Sequence, residues 1–310
     1  MTITLSVLTF RRPEDLRAVL PMLVAQAREV ATPAEPVEVL VVDNDPEGSG
    51  RVVLDELASP LVRYVVESIP GIAAARNRAL EEGLASSALV FVDDDERPHP
   101  GWLRALVDTW TRTGAVAVSG AVVSDFAADL DPWVREGGFF ERRRLATDTP
   151  ISIAATNNLL LDMAAIRATG LRFDTEFGLS GGSDTLFTRR LAATGALMVW
   201  CDEAVVTDHV PASRMSRDWV LRRSFRYGNS GSRVELSLAD SVAERWTARA
   251  RCVARGLPRV VVGGARWLLG TMTGSARNRA RGLRTAVRGA GVLVGASGYV
   301  YQEYGRARRS

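Results

Sequence analysis

The sequence predicts an α/β fold: a mostly parallel central sheet flanked by helices, followed by a helical C-terminal extension. Two observations carry this prediction. Through residue 123, apolar runs of strand length alternate with segments whose apolar residues recur at helical spacing, the signature of strand–helix–strand crossovers. From residue 216 onward the strand signals stop, and the pattern is helical and arginine-rich.

Taken in order, residues 3–9 form a first apolar strand. Pro13, Glu14 and Asp15 then open a helix whose Leu16, Val19, Leu20 and Leu23 share one face, with proline and acidic residues where a helix start favours them. A second buried strand, Val37 to Val42, ends in Asp43-Asn44-Asp45-Pro46. A helix near 50–58, a strand near 61–66, a Pro70-Gly71 turn and a helix over 72–84 follow. Residues 88–92 are the next strand, 98–113 a helix and 114–123 a strand. Residues 124–150 read as irregular, with Pro132-Trp133 and Phe139-Phe140 set among charges. A polar turn at Thr156-Asn157-Asn158 enters a strand, a helix runs from 185 to about 194, and 196–200 is strand-like. The expected organisation is one domain over 1–215, in halves of about 1–123 and 124–215, and an arginine-rich helical region over 216–310.

Apolar content of 46% and a mean hydropathy of +0.01 are ordinary for a globular protein. No uncharged apolar run is long enough to span a bilayer. The N-terminus enters a strand without a basic leader, and Cys201 and Cys252 make no disulfide framework, so cytoplasmic residence is the expectation. The net charge of +3 conceals an asymmetry: residues 211–310 hold 20 Arg against 5 acidic residues, a balance of +15, leaving −12 on residues 1–210. The chain contains no lysine.

Asp93-Asp94-Asp95-Glu96 follows the strand ending at Val92. Four carboxylates there repel one another, and a hard divalent cation, Mg²⁺ or Mn²⁺, relieves them and brings a phosphate with it. Asp93 and Asp95, two apart, leave one face of an extended segment together, with Asp94 pointing away unless the chain turns. Ligands of such sheets sit beyond the carboxyl ends of the strands, where Thr9, Arg11, Asp43 and the acidic run all fall. Arg76 and Asn77 lie near a helix start that favours phosphate. Asp184, after Gly181-Gly182-Ser183, is either a general base for a substrate hydroxyl or the cap of a helix beginning at Thr185. His209 is a candidate for metal or phosphate, or a structural histidine.

These motifs occur in a recognisable order. Val7-Leu8-Thr9-Phe10-Arg11-Arg12-Pro13, Val41-Val42-Asp43-Asn44-Asp45, Gly71 to Asn77, Phe91 to Glu96, and Gly181-Gly182-Ser183-Asp184 together resemble family-2 glycosyltransferases of the GT-A, Rossmann-like fold. The bacterial succinoglycan-biosynthesis type of glucosyltransferase is most similar, through Asp93 to Pro98, Pro132-Trp133, Phe139-Phe140 and Arg226-Tyr227-Gly228-Asn229. The resemblance covers about residues 1–230. It implies that Thr9 and Asp43 contact base and ribose, that Arg11 and Arg76 lie near the nucleotide, that Asp93 contacts ribose or metal, and that Asp94 is on the donor side. It further implies that Asp95 holds the metal, that His209 completes the metal or diphosphate site, and that Asp184 is the catalytic base. The implied reaction is inverting transfer from a nucleotide sugar, with UDP favoured, to a glycan, lipid-linked or natural-product hydroxyl. Ser183 stands where the family usually has Glu, which leaves acceptor type open.

Two other classes fit less well. A nucleotidyltransferase is expected to carry a glycine-rich loop after its first strand, and Thr9 to Pro13 has no glycine. The basic C-terminus suits nucleic acid, but no nucleic-acid-binding motif accompanies it, so the expectation is none. Arg222, Arg223 and Arg226 instead suit an acidic acceptor. The apolar segments 257–273 and 289–301 suit a helix at the inner face of a membrane, packing on the catalytic domain, or contact with a second copy in a homodimer.

Overall fold

The computed structural model describes residues 2–301. Its described residues form two compact units. One draws on residues 2–124, Arg142–Gly178 and Ser183–His209, and the other on Asp125–Glu141, Leu179–Gly182 and residues 210–301.

In the first unit, strands β1 (Ile3–Thr9), β2 (Val37–Asp43), β3 (Val62–Val66) and β4 (Ala88–Asp93) are joined by helices α1 (Pro13–Val30), α2 (Arg51–Leu57) and α3 (Ile72–Glu82). These four strands run parallel in the order β3-β2-β1-β4. Their register decides where the site lies: Thr9 is level with Asp43, and Leu8 with Asp93. Three polar strand ends therefore finish at one edge.

The strands alternate their side chains between two buried faces. Leu5, Val7, Val39, Val41, Val90 and Val92 pack with Leu16, Leu20 and Leu23 of α1 and Trp102 of α4 (Trp102–Thr113). Leu8, Leu40, Val42, Leu89 and Phe91 pack with Ala75 and Leu80 of α3 and Phe187 of the later helix over Ser183–Ala193. Burying each large side chain contributes roughly 1.5–3 kcal/mol, which fixes the strand ends in place.

Among the described residues the sheet has eight strands, completed by β5 (Glu96–Pro98), β6 (Ala117–Phe126), β7 (Asn158–Asp162) and β8 (Met198–Val210), in the order β3-β2-β1-β4-β7-β6-β8-β5. Beyond the parallel strands β1 to β4 the sheet is mixed. β7 runs antiparallel to β4 and β6, and β5 antiparallel to β8. β4 passes to β5 through only a two-residue turn. Because Glu96 to Pro98 is strand, α4 begins at Trp102 and not at 98. β8 runs thirteen residues instead of the expected five, with its Asp202 paired to Arg144 at 2.6 Å.

In the second unit, the stretch expected to be irregular contains α5 (Pro132–Gly137), capped by Asp131 Oδ1, which accepts from Trp133 N–H at 2.7 Å. Between them in chain order, the first unit holds α6 (Met163–Thr169) and α7 (Ser183–Ala193). The C-terminal helices are α8 (Arg217–Ser237), α9 (Val242–Met272) and α10 (Ala276–Ala296). Ser216, Ser241 and Ser275 cap their N-termini by accepting from backbone N–H groups.

Gly256, Gly263 and Gly270 of α9 recur every seventh residue and face α10, whose Gly282 and Gly289 answer them. The backbones approach so closely that a Cβ on Gly263 would lie 2.4 Å from Ala286 N. Another face of α9 exposes Val242, Trp246, Val253, Leu257, Val261, Leu268 and Met272. Among the described residues no helix is long and apolar enough to cross a membrane.

Candidate active site

The chain turns at Asp94-Asp95 between β4 and β5. Asp93 and Asp95 therefore do not share one extended segment, and Asp94 does not point into solvent. Asp94 is 4% exposed. Its Oδ2 accepts from Thr9 Oγ1 at 2.8 Å and its Oδ1 from Arg12 Nη1 at 3.1 Å. The same Arg12 nitrogen donates to Asp95 Oδ2 at 3.0 Å. Glu96 is buried as well, its Oε1 accepting from Asn157 Nδ2 at 2.5 Å, while its Oε2 has no hydrogen-bond partner. The chain turns here, the condition under which Asp94 is not expected to point away, and the turn folds Asp94 and Glu96 inward.

Charge crowding and burial act together on this run. Burial pushes the Asp93 carboxyl up to about 7, Asp95 adds to the rise and Arg76 opposes it. Burial pushes Asp94 up to about 6, with Arg12 opposing. Burial and then Asp93 raise Glu96 well above the usual carboxylate range. Burial disfavours the Arg12 charge, but Asp94 and Asp95 more than offset it and hold the guanidinium protonated.

Among the described residues no three His, Cys, Asp or Glu side chains are gathered as a complete metal cage. A Mg²⁺ or Mn²⁺ ion carrying a diphosphate needs only one or two carboxylates, with phosphate and water supplying the rest. Asp93 and Asp95 are hard oxygen donors at an acidic turn, and Glu96 keeps an unpartnered buried oxygen. The residues fit such an ion.

The remaining candidates fall around the same strand ends. Asp43 is fully buried and accepts three protein hydrogen bonds: from Asp45 N–H at 2.9 Å, Gly50 N–H at 2.7 Å and Tyr64 Oη at 2.8 Å. It shapes the loop from 43 to 50. Arg11 has a left-handed backbone (φ 54°) and sends its guanidinium to Asp45 at 3.1 and 3.2 Å. Arg76 is buried, donates from Nη1 to Ser183 Oγ at 2.6 Å, and lies over the Phe173 ring; its Nε has no partner.

Arg76 thereby joins α3 to the start of α7, which begins at Ser183 and not at Thr185. Asp184 lies inside the first turn of α7, so it is not the residue that caps it. Its Oδ1 accepts from Thr185 N–H at 2.7 Å. His209 ends the first unit's part of β8, and its backbone N–H donates to Asp95 O at 3.3 Å. The partners that sequence reasoning did not single out are Arg12 and Asn157, whereas Ser183, noted there only as a replacement for Glu, is the one that receives Arg76. Arg12 stood in the first motif beside Arg11, but adjacency gave no sign of which arginine meets the carboxylates.

Comparison with known proteins adds independent findings. The sequence model of glycosyl transferase family 2 matches residues 4–170. The chain is 32% identical over 250 residues to succinoglycan biosynthesis protein ExoM of Rhizobium meliloti, covering 79% of this chain and 78% of that protein. It is 28% identical over 223 residues to the glucosyl-dolichyl phosphate glucuronosyltransferase of Haloferax volcanii, covering 65% and 68%. In fold it is similar to a mannosyltransferase from Pyrobaculum calidifontis solved with GDP-Man and Mn²⁺ (TM-score 0.63, 19% identity, covering 94% of this chain and 86% of that one). It is also similar to S. aureus TarS 1–349 solved with UDP (TM-score 0.52, 14% identity, covering 97% and 93%). The α/β architecture described above is the GT-A fold.

Proposed function

Since the chain belongs to glycosyl transferase family 2 and is a glycosyltransferase, we propose that it performs inverting, metal-dependent transfer from a nucleotide sugar to an acceptor hydroxyl. The observation that carries this reading is the level ending of β1, β2 and β4 beside the inward-folded acidic turn. A UDP-sugar is the favoured donor. The name of the succinoglycan relative favours a glycan acceptor, and that of the dolichyl phosphate relative a lipid-linked one.

Asp95 and Asp93 are the residues that would hold Mg²⁺ or Mn²⁺. When bound, the ion supplies Lewis-acid neutralisation of the leaving diphosphate. Thr9, Arg11, Asp43 and Arg76 form the nucleotide side. Arg12 and Thr9 hold Asp94, and through it the turn, in place. Asp184 takes the proton from the acceptor hydroxyl as its oxygen attacks the anomeric carbon opposite the diphosphate. The new C–O bond forms as the old one to the diphosphate breaks, and the anomeric centre inverts. A single carboxylate suffices, since no glycosyl–enzyme intermediate forms. His209 is assigned to the diphosphate side of the turn. The exposed apolar face of α9 is the reading's peripheral membrane contact.

The test is a panel of UDP-, GDP- and dTDP-sugars with Mn²⁺, reading nucleoside diphosphate release and product stereochemistry. Asp184→Asn is expected to lower turnover by roughly 10²–10⁴-fold while donor binding stays intact. Pyrophosphate release from a nucleoside triphosphate and a sugar 1-phosphate, with no nucleoside diphosphate released from the sugar nucleotides, would establish nucleotidyl transfer instead.

A further inference from the structure

The C-terminal unit contains a cleft that the glycosyl-transfer reading does not use. It has a volume of about 250 Å³ and is lined by Arg259 and Arg266 of α9, Arg281, Arg284, Thr285 and Arg288 of α10, and Glu141. Five guanidiniums thus face one carboxylate. Arg281 takes that carboxylate, with Nη2 at 3.1 Å from Glu141 Oε1. No carboxylate among the described residues is within ion-pair distance of Arg259, Arg266, Arg284 or Arg288.

The side chains are arranged as well as concentrated. Arg266 Nε donates to Asn278 Oδ1 at 3.1 Å, fixing its guanidinium across the helix pair. Arg284 Nη1 donates to the Gly137 and Gly138 carbonyls at 2.9 and 2.5 Å. Arg281 Nε donates to Glu136 O at 3.0 Å. The same glycine-mediated closeness of α9 and α10 that removes side chains from their contact brings the two arginine rows together. Burial, with Arg288 and Arg281 nearby, pushes the Arg284 guanidinium below its usual value despite Glu141. Like charges are therefore held together here without enough opposing charge, a cost that a bound anion removes.

We propose that this cleft is a binding site for a phosphate-bearing ligand, with a diphosphate group as its best-fitting occupant. Guanidinium groups make paired hydrogen bonds to phosphate oxygens, which lysine ammonium groups cannot match. The surplus of positive charge suits a polyanion better than a single carboxylate. The cleft's volume admits two linked phosphoryl groups. The ligand's source is either a soluble phosphate compound or the headgroup of a phospholipid, and the chemistry recognised is the same.

Calorimetric titration of the full chain with inorganic pyrophosphate, in chelator and without divalent metal, tests the proposal; leaving out the metal keeps pyrophosphate from using a metal bridge at the acidic turn. Saturable binding that weakens at least about tenfold in Arg266→Gln/Arg288→Gln is the expected result, because two charge-assisted contacts to phosphate are lost. Arg288 is exposed and Arg266 only partly buried, so this variant is expected to keep the wild-type melting temperature, and unchanged circular dichroism checks it. Competition by phosphatidylcholine vesicles containing phosphatidic acid identifies a lipid headgroup as the source, whereas failure to compete identifies a soluble phosphate. Absence of saturable pyrophosphate binding, or equal affinity in the folded variant, overturns the proposal.

Discussion

Arg12 donates to both Asp94 and Asp95 while Thr9 holds the other oxygen of Asp94. Removing the guanidinium leaves a buried carboxylate without its cation. Arg12→Gln should therefore destabilise the metal-free protein by about 1–3 kcal/mol, less than the roughly 3–5 kcal/mol of breaking a fully buried pair, because Arg12 is itself partly exposed. Denaturant unfolding measures it. The raised carboxyls give a second expectation. Asp93 and Asp94 sit at about 7 and about 6 in the fold, against an ordinary value of 3.8. The folded state thus keeps protons that the unfolded chain has already released, and their contribution to stability falls as pH rises from about 4 to about 7. The metal-free melting temperature should drop between about pH 4 and about pH 7 and then level off, and Mn²⁺ should recover it at the upper end. A pH series on Asp93→Asn should be flatter. If wild type and variant run parallel, these carboxyls are not the cause. At this scale the acidic run and the strand-end residues were legible in sequence, because residue type and position announce them. That Asp94 turns inward, and that Arg12 instead of Arg11 meets it, was not legible. Both depend on a two-residue turn whose direction is set by β5 pairing with distant β8.

Among the elements, the α9–α10 contact is the most exposed to a single substitution. A side chain at Gly263 meets Ala286 backbone at 2.4 Å from its first carbon, and backbone cannot swing aside as a side-chain tip can. Gly263→Leu should cost about 1–3 kcal/mol or more by forcing the helices apart. Gly264→Leu, one residue on with nothing within 4 Å of its Cβ position, should not. Thermal melts of the pair compare the two directly. The parallel strands and α1 to α3 were readable from apolar period: β1, β2, β4, α1 and α3 are buried on the face the pattern names, and β3 is partly buried. α9 was harder to read as one helix of 31 residues: it holds Pro258 and repeated glycines, which ordinarily punctuate a chain. The glycines mark close helix contact, and Pro258 lies on an exposed part of the helix. β8 was read short because Asp202 and Glu203 interrupt its apolar run, and the partners that satisfy them, Arg144 and Thr147, come from a separate segment.

At the scale of the whole molecule, the chain divides its charge between an acidic N-terminal region and a basic C-terminal one. Charge asymmetry was legible from composition. The division of contacts was less so, because Asp125–Glu141 groups with helices that follow much later in sequence. The apolar row on α9, from Val242 through Met272, recurs at intervals of four and seven residues and so forms one stripe. With Arg245 and Arg249 on the same helix, it should bring the protein up with anionic vesicles in a flotation gradient. Trp246→Glu/Leu268→Glu should stay at the bottom. A wild-type protein that also stays there removes the membrane contact from the reading. The tether from Thr9 and Arg12 to Asp94 has a consequence of another kind. The backbone of the acidic turn is already ordered by protein groups, so an arriving cation finds its ligands without having to freeze a loop. Little of its binding free energy is then lost to conformational entropy, and chelation should remove the ion while leaving the fold standing.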